Sequence, residues 1–179
     1  MKRTTILISA IVVISTSLQA QKMNNIKTDL FSPIIRTFAI KFERAFTEDI
    51  SGQLGFFYTG FHPRESETTL EGYGITPEFR FYLSETLAPS GTYLAPNIRY
   101  MSLTATDPIA NDEGTLTSIG LAINLGKQVL LKDIILIDAW VGPSYNFRSV
   151  SDNSGDIDIG ISEVNGFGLR LGIAIGIAF

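Results

Sequence analysis

The 179-residue chain has no cysteine, a single histidine and a single tryptophan, and only 18% of its residues are charged. Without cysteine there is no disulfide framework, thiolate nucleophile or cysteine-based metal site. The formal net charge is −4, and no basic run follows Lys2 and Arg3, so the clustered cations needed to displace counterions from a nucleic acid are missing. Beyond residue 20 no stretch reaches 18 consecutive apolar residues, which excludes a transmembrane helix there. What is plentiful is glycine, at 16 residues, and phenylalanine, at 12. Glycine and aromatics with few charges fit a β-rich chain with a large apolar surface.

The first residues read as a targeting segment. Lys2 and Arg3 precede an apolar run from Ile6 to Ile14, too short to span a bilayer as a helix. Polar Ser15, Thr16 and Ser17 follow, and Leu18-Gln19-Ala20 offers small-residue cleavage before Gln21. The expected organisation is a signal peptide over residues 1–20 and one domain over 21–179. No cysteine follows the apolar run, so a lipoprotein anchor is excluded.

In that domain the hydrophobic period is two. Phe167, Leu169, Leu171, Ile173, Ile175, Ile177 and Phe179 alternate with Gly168, Arg170, Gly172, Ala174, Gly176 and Ala178. A strand sends successive side chains to opposite faces, so one face is bulky and apolar and the other small. A helix here would carry repeated glycines at about 1 kcal/mol each against alanine. Similar alternation recurs upstream and predicts strands over 24–31, 36–46, 51–61, 72–82, 92–103, 115–126, 134–147 and 163–178. The intervening links alternate between shorter (47–50, 84–91, 126–133) and longer, polar ones (62–71, 104–114, 149–162), as in outer-membrane barrels with short periplasmic turns. With both termini periplasmic, the 32–35 link and the long links lie outside.

The small-residue face carries few of the lysines and glutamates expected of a sheet face in water. It suits the packed interior of a closed eight-stranded antiparallel up-and-down β-barrel, which leaves a lumen just wide enough for side chains. Closure also pairs the backbone groups, as lipid requires. This parity places Lys41, Glu43, Glu78, Arg80, Arg99, Asp138 and Arg170 inside, with Asn97, Asn124 and Trp140. Charges withdrawn from water need partners, so a cross-barrel ionic network is expected as a structural plug. Arg170, flanked by Gly168 and Gly172, is expected to reach Glu43, Glu78 or Asp138. Tyr58, Tyr73, Tyr100, Tyr145 and Phe147 at one end, and Phe46, Phe81, Tyr93 and Phe179 at the other, suggest two aromatic girdles.

The end of the chain, GFGLRLGIAIGIAF, resembles the closing strand of outer-membrane barrels. That resemblance implies that Phe167, Leu169, Leu171, Ile173, Ile175, Ile177 and the terminal Phe179 form the signal read by the barrel-assembly machinery. Together with NNIKTDLFSPIIRTFAIKFERAF and ITPEFRFYL, the chain is similar to uncharacterised OmpA/OmpX-like small barrels of Bacteroidetes-type bacteria. The resemblance implies fold and an integral outer-membrane location, among outer-membrane lipid and lipopolysaccharide. It implies no activity, and the chain ends without the periplasmic domain of full-length OmpA-type proteins.

Few residues suggest chemistry. Barrel lipid A deacylases and palmitoyl transferases pair histidine with serine or an acid, but His62 stands alone before turn-forming Pro63. Glu65, Ser66, Ser144 and Ser149 are the nearest candidates to accompany it. Asp152, Asn153, Asp156 and Asp158 provide hard oxygens without EF-hand spacing. No cofactor or metal is expected. The expected function is a structural or loop-presenting barrel, adhesive or envelope-stabilising, without turnover; a lipid-modifying enzyme and a narrow gated channel are the alternatives. The external ligand has no signature.

Overall fold

The structure is a computed structural model that describes residues 23–61, 69–84, 86–107, 112–152 and 165–179. The cleavage site, His62, Glu65, Ser66, Asn153, Asp156 and Asp158 lie outside the described residues. Eight strands follow in order: β1 Asn24–Asp29, β2 Thr37–Ala45, β3 Ile50–Phe61, β4 Thr69–Tyr82, β5 Gly91–Asp107, β6 Asp112–Leu131, β7 Ile135–Asp152 and β8 Gly166–Ala178. Each pairs antiparallel with its sequence neighbours, and β1 closes on β8, giving an up-and-down barrel.

The register is constant along every seam. Starting at Ile26, the row of opposed residues runs through Phe42, Leu54, Pro77, Ile98, Leu121, Tyr145 and Phe167. Phe167 then falls level with position 36 of the β1 line, so one circuit advances ten residues along the chain. This stagger requires strands tilted by about 35–45° to the barrel axis.

Side-chain parity follows the pleat. Phe38, Ile40, Phe42, Leu54, Ile75, Phe79, Ile98, Leu121, Ile123, Val141, Leu171 and Ile175 all face outward and are exposed, while Asn25, Lys27, Glu43, Arg80, Gln128 and Asp138 are buried in the lumen. The molecule thus inverts the usual distribution, with large apolar groups outside and ionic groups within.

Several expected links shorten because strands run into them: β4 begins at Thr69, β6 continues to Leu131 and β7 to Asp152, inside the expected links 62–71, 126–133 and 149–162. Residues 104–107 and 112–114 are not a loop: β5 and β6 stay paired as far as Asp107 and Asp112, leaving only 108–111 as the link. Threonine-rich, β-branched sequence there carries the ladder onward despite its polarity. Conversely, the link 83–90 on the opposite end is longer than expected of a tight turn, and it folds inward. Its Ala88 is fully buried and its backbone N–H donates to the Glu48 carbonyl at 2.7 Å. The 32–35 link forms a 3-10 turn, Ser32–Ile35, preceded by exposed Phe31 and carrying exposed Ile34 and Ile35.

Pro77, Pro96 and Pro143 sit inside β4, β5 and β7. Proline has no N–H to give the ladder. The β4–β5 pairing is interrupted beside Pro77 and again beside Pro96, and the β6–β7 pairing is interrupted beside Pro143. Pro96 and Pro143 flank Ile123 from either side in register. Beside Pro143, Gly142 lets the strands approach closely: a Cβ there would run into the Ile123 carbonyl oxygen and the Asn124 Cα, both backbone atoms that cannot swing away. Gly142→Ala is therefore expected to destabilise by about 1–3 kcal/mol through overpacking, seen as a lower urea midpoint for the folded band in a heat-modifiable gel shift.

Candidate functional site

The lumen is filled in storeys. At the end where β1 begins and β8 finishes, Ala45, Tyr82, Ala88, Tyr93 and Ala95 form an apolar floor, with Met23 packed against it. Small residues alternate with two tyrosines, and the infolded 83–90 link closes the opening beneath. Tyr82 and Tyr93 lie with ring centroids 5.6 Å apart. Both hydroxyls point upward into charge: Tyr82 donates to Glu43 Oε1 and Tyr93 to Asp138 Oδ1, each at 2.7 Å.

Above the floor lies the ionic layer. Lys27 Nζ is 2.7 Å from Glu43 Oε2 and 3.0 Å from Asp138 Oδ2. Arg80 Nη1 is 2.9 Å from Asp138 Oδ2 and 3.4 Å from Glu43 Oε2, while its Nε is 2.7 Å from Glu78 Oε1. Gln128 accepts from Lys27 at 2.6 Å and from Arg80 at 3.0 Å, and donates to Glu43 at 3.1 Å and to the Pro89 carbonyl. Ser51 adds a hydroxyl donor to Glu43 at 2.6 Å. The Arg80 guanidinium also lies 4.2 Å from the Tyr93 ring centroid. Lys27, Glu43, Arg80, Gln128 and Asp138 come from five strands, with Ser51 of β3 and Tyr93 of β5 bonded to them, and the first five are each no more than 1% exposed. The lumen is closed at this level.

The third storey is looser. Glu78 takes Gln53 Nε2 at 3.1 Å on one oxygen and Asn124 Nδ2 at 3.3 Å on the other. Lys41 pairs with Asp29 at 2.6 Å and sits 3.6 Å over the Trp140 ring. Arg99 donates from Nε to Thr76 Oγ1 at 3.2 Å. Arg170 donates to Asn97 Oδ1 at 2.9 Å and Asn146 Oδ1 at 3.3 Å. A cavity of about 40 Å³ lies among them, walled also by Phe56, Phe57 and Trp140.

All seven charged residues read as luminal from the sequence face inward, but they divide into two groups. Glu43, Glu78, Arg80 and Asp138 share one network; Lys41, Arg99 and Arg170 line the cavity above it. The expected partnership of Arg170 with a carboxylate is overturned: its partners among the described residues are two asparagines. The barrel stagger sets Arg170 at a different height from Glu43 and Asp138, which Lys27 and Arg80 already occupy. Tyr93 is also corrected. It belongs to no outer girdle, being fully buried on the same face as Asn97 and Arg99. Trp140 does point inward, and a Cβ on Gly172 would strike its ring, so a large side chain at Gly172 has no room.

Lys27, Gln53, Tyr82, Gln128 and Asp29 were missed. The signal for Lys27 and Asp29 was in place: Asn25, Lys27 and Asp29 alternate with Ile26 and Thr28 in NNIKTD. Gln128 had none, since a neutral amide beside Lys127 reads as an exposed turn residue. Ser144 is buried and Ser149 exposed, so the two hydroxyls considered as companions of His62 sit on opposite faces of β7.

Fold and lumen together define a small closed β-barrel with an ion-paired core. Residues 6–153 match a family model described as a protein of unknown function (DUF3575), and the chain belongs to that family. No curated protein and no solved structure matches it.

Proposed function

We propose that the protein is an integral β-barrel of the bacterial outer membrane, akin to the OmpA/OmpX-like barrels of Bacteroidetes-type bacteria, with a structural or loop-presenting role and no turnover. The observation that carries this reading is the inverted polarity: an almost continuous apolar outer face around a buried ionic lumen. A soluble barrel facing water would expose a hydrophobic area far beyond the few hundred Å² tolerated on soluble monomers. In lipid the same face is solvated, and closure leaves no sheet edge. The eight strands are long enough in sum, and the shortest, β1, is joined to β2 by the apolar Phe31–Ile35 link, which suits burial at the lipid boundary.

On this reading the leader is removed at Ala20, both termini are periplasmic, and the outward residues of β8 with Phe179 form the signal for the assembly machinery. Lipopolysaccharide and outer-membrane lipid are the surrounding partners. The ionic layer argues against conduction, because a permeating ion must break Lys27–Glu43 and Arg80–Asp138 and pass the infolded 83–90 link. The protein is expected to fractionate with the outer membrane as a chain starting at Gln21, to shift on a gel when heated, and to show no single-channel conductance in planar bilayers. Recovery in the soluble fraction would overturn the location. Steady conductance would favour the channel, and an altered lipid A mass spectrum in a deletion strain would favour the enzyme.

A further inference from the structure

We propose that the cavity above the ionic layer is a binding site for a small inorganic anion of about chloride size. The argument rests on an imbalance of charge and of hydrogen-bonding groups. Lys41, Arg99 and Arg170 line the cavity together with Glu78. Glu78 is already engaged, one oxygen by Arg80 and Gln53 and the other by Asn124. Lys41 is offset by Asp29. Glu78 acts on both Arg99 and Arg170 through space, and Asp29 on Arg99, but neither arginine makes a direct ion pair among the described residues, and every hydrogen-bond acceptor they find is neutral: Thr76, Asn97 and Asn146.

The donor inventory leans the same way. A guanidinium carries five N–H groups. Arg99 directs one nitrogen to Thr76, and its two terminal amino groups have no hydrogen-bond partner among the described residues. Arg170 uses two of its nitrogens on asparagine oxygens. Both guanidiniums are partly buried, and charge-assisted bonds to an anion are stronger than those to neutral acceptors. An anion between Arg99 and Arg170 also screens two like charges that face one cavity.

Size selects among anions. A water needs roughly 10–15 Å³ measured this way, so about 40 Å³ holds one monatomic ion with one or two waters. Gln53 and Asn124 also stand in the cavity wall, and each keeps a buried amide oxygen with no donor among the described residues. Nothing of lipid, sugar or nucleotide size fits.

The test uses purified, folded barrel. Its urea midpoint is followed as sodium chloride replaces sodium gluconate at constant ionic strength, gluconate being too large to enter. Ligand that binds the folded state alone raises stability saturably. The wild-type midpoint is expected to rise and level off with chloride. Arg99→Met, and the milder Arg99→Lys and Arg170→Lys, are expected to need roughly tenfold more chloride or to lose the response. Lys132→Met, in the exposed turn after β6, is expected to keep it. Crystals of the unaltered protein grown in bromide should show an anomalous peak between Arg99 and Arg170, which tests the site without any variant. An absent peak, or a chloride response retained by all three arginine variants, overturns the proposal. Neither result depends on where in the cell the barrel resides.

Discussion

Lys27→Met is expected to lower folded-state stability by about 3–5 kcal/mol, the usual cost of removing one partner from a buried ion pair. Lys27 and Arg80 together face Glu43 and Asp138, with Glu78 also on Arg80. Without Lys27, Arg80 alone faces the fully buried Glu43 and Asp138, and it is shared with Glu78 at the cavity wall. Methionine has similar bulk, so the loss reports charge and hydrogen bonds more than packing. The measurement is the urea midpoint of the heat-modifiable folded band. Lys27→Met combined with Asp138→Asn is expected to recover part of the loss, because contacting residues are non-additive. A midpoint unchanged in Lys27→Met would remove the layer from any structural role.

Leu171→Arg tests the outer face. Leu171 is 68% exposed, opposite Val141 on β7. If that face meets lipid and Leu171 lies near the bilayer midplane, the substitution costs about 2–4 kcal/mol. In water the same change would be nearly neutral, as surface substitutions usually are. A neutral Leu171→Arg in protein that stays inserted would contradict the membrane reading, whatever the state of the lumen.

The barrel was legible because its signal is redundant. Eight alternating segments, each bounded by turn residues, leave little choice of fold, and β8 alone states the parity in GFGLRLGIAIGIAF. Parity likewise placed Glu43, Glu78, Arg80 and Asp138 inside. What parity lacks is height. The pairing of Lys27 with Glu43 and Asp138 depends on a stagger of ten residues around the barrel, which arises from seam registers and is written in no single strand. Arg170 shows the consequence: its inward direction was readable, but its partners, Asn97 and Asn146, come from a storey that only the register reveals. Lys27 was overlooked for another reason. β1 has six residues, too few for its alternation to stand out, although it supplies the side chain that reaches β2, β6 and β7 at once. The link 83–90 was misjudged because its inward fold depends on partners distant in sequence: the Ala88 backbone N–H donates to the Glu48 carbonyl, and the Gln128 side-chain amide donates to the Pro89 carbonyl.

Pro77, Pro96 and Pro143 bear on the chain before it becomes a barrel. Before the strands pair, each has open edges, and apolar, weakly charged strands such as these are templates for pairing between chains. A second chain pairing with β4, β5 or β7 would take donors from alternate residues along one edge, and on the edge that a proline faces one of those donors is missing. Prolines placed this way interrupt apolar windows of the kind that promote aggregation. The folded barrel tolerates the same gaps because its neighbouring seams stay in register on both sides. The missing ladder bonds near Ile123 are the lasting trace of a constraint that applies while the chain is still unfolded.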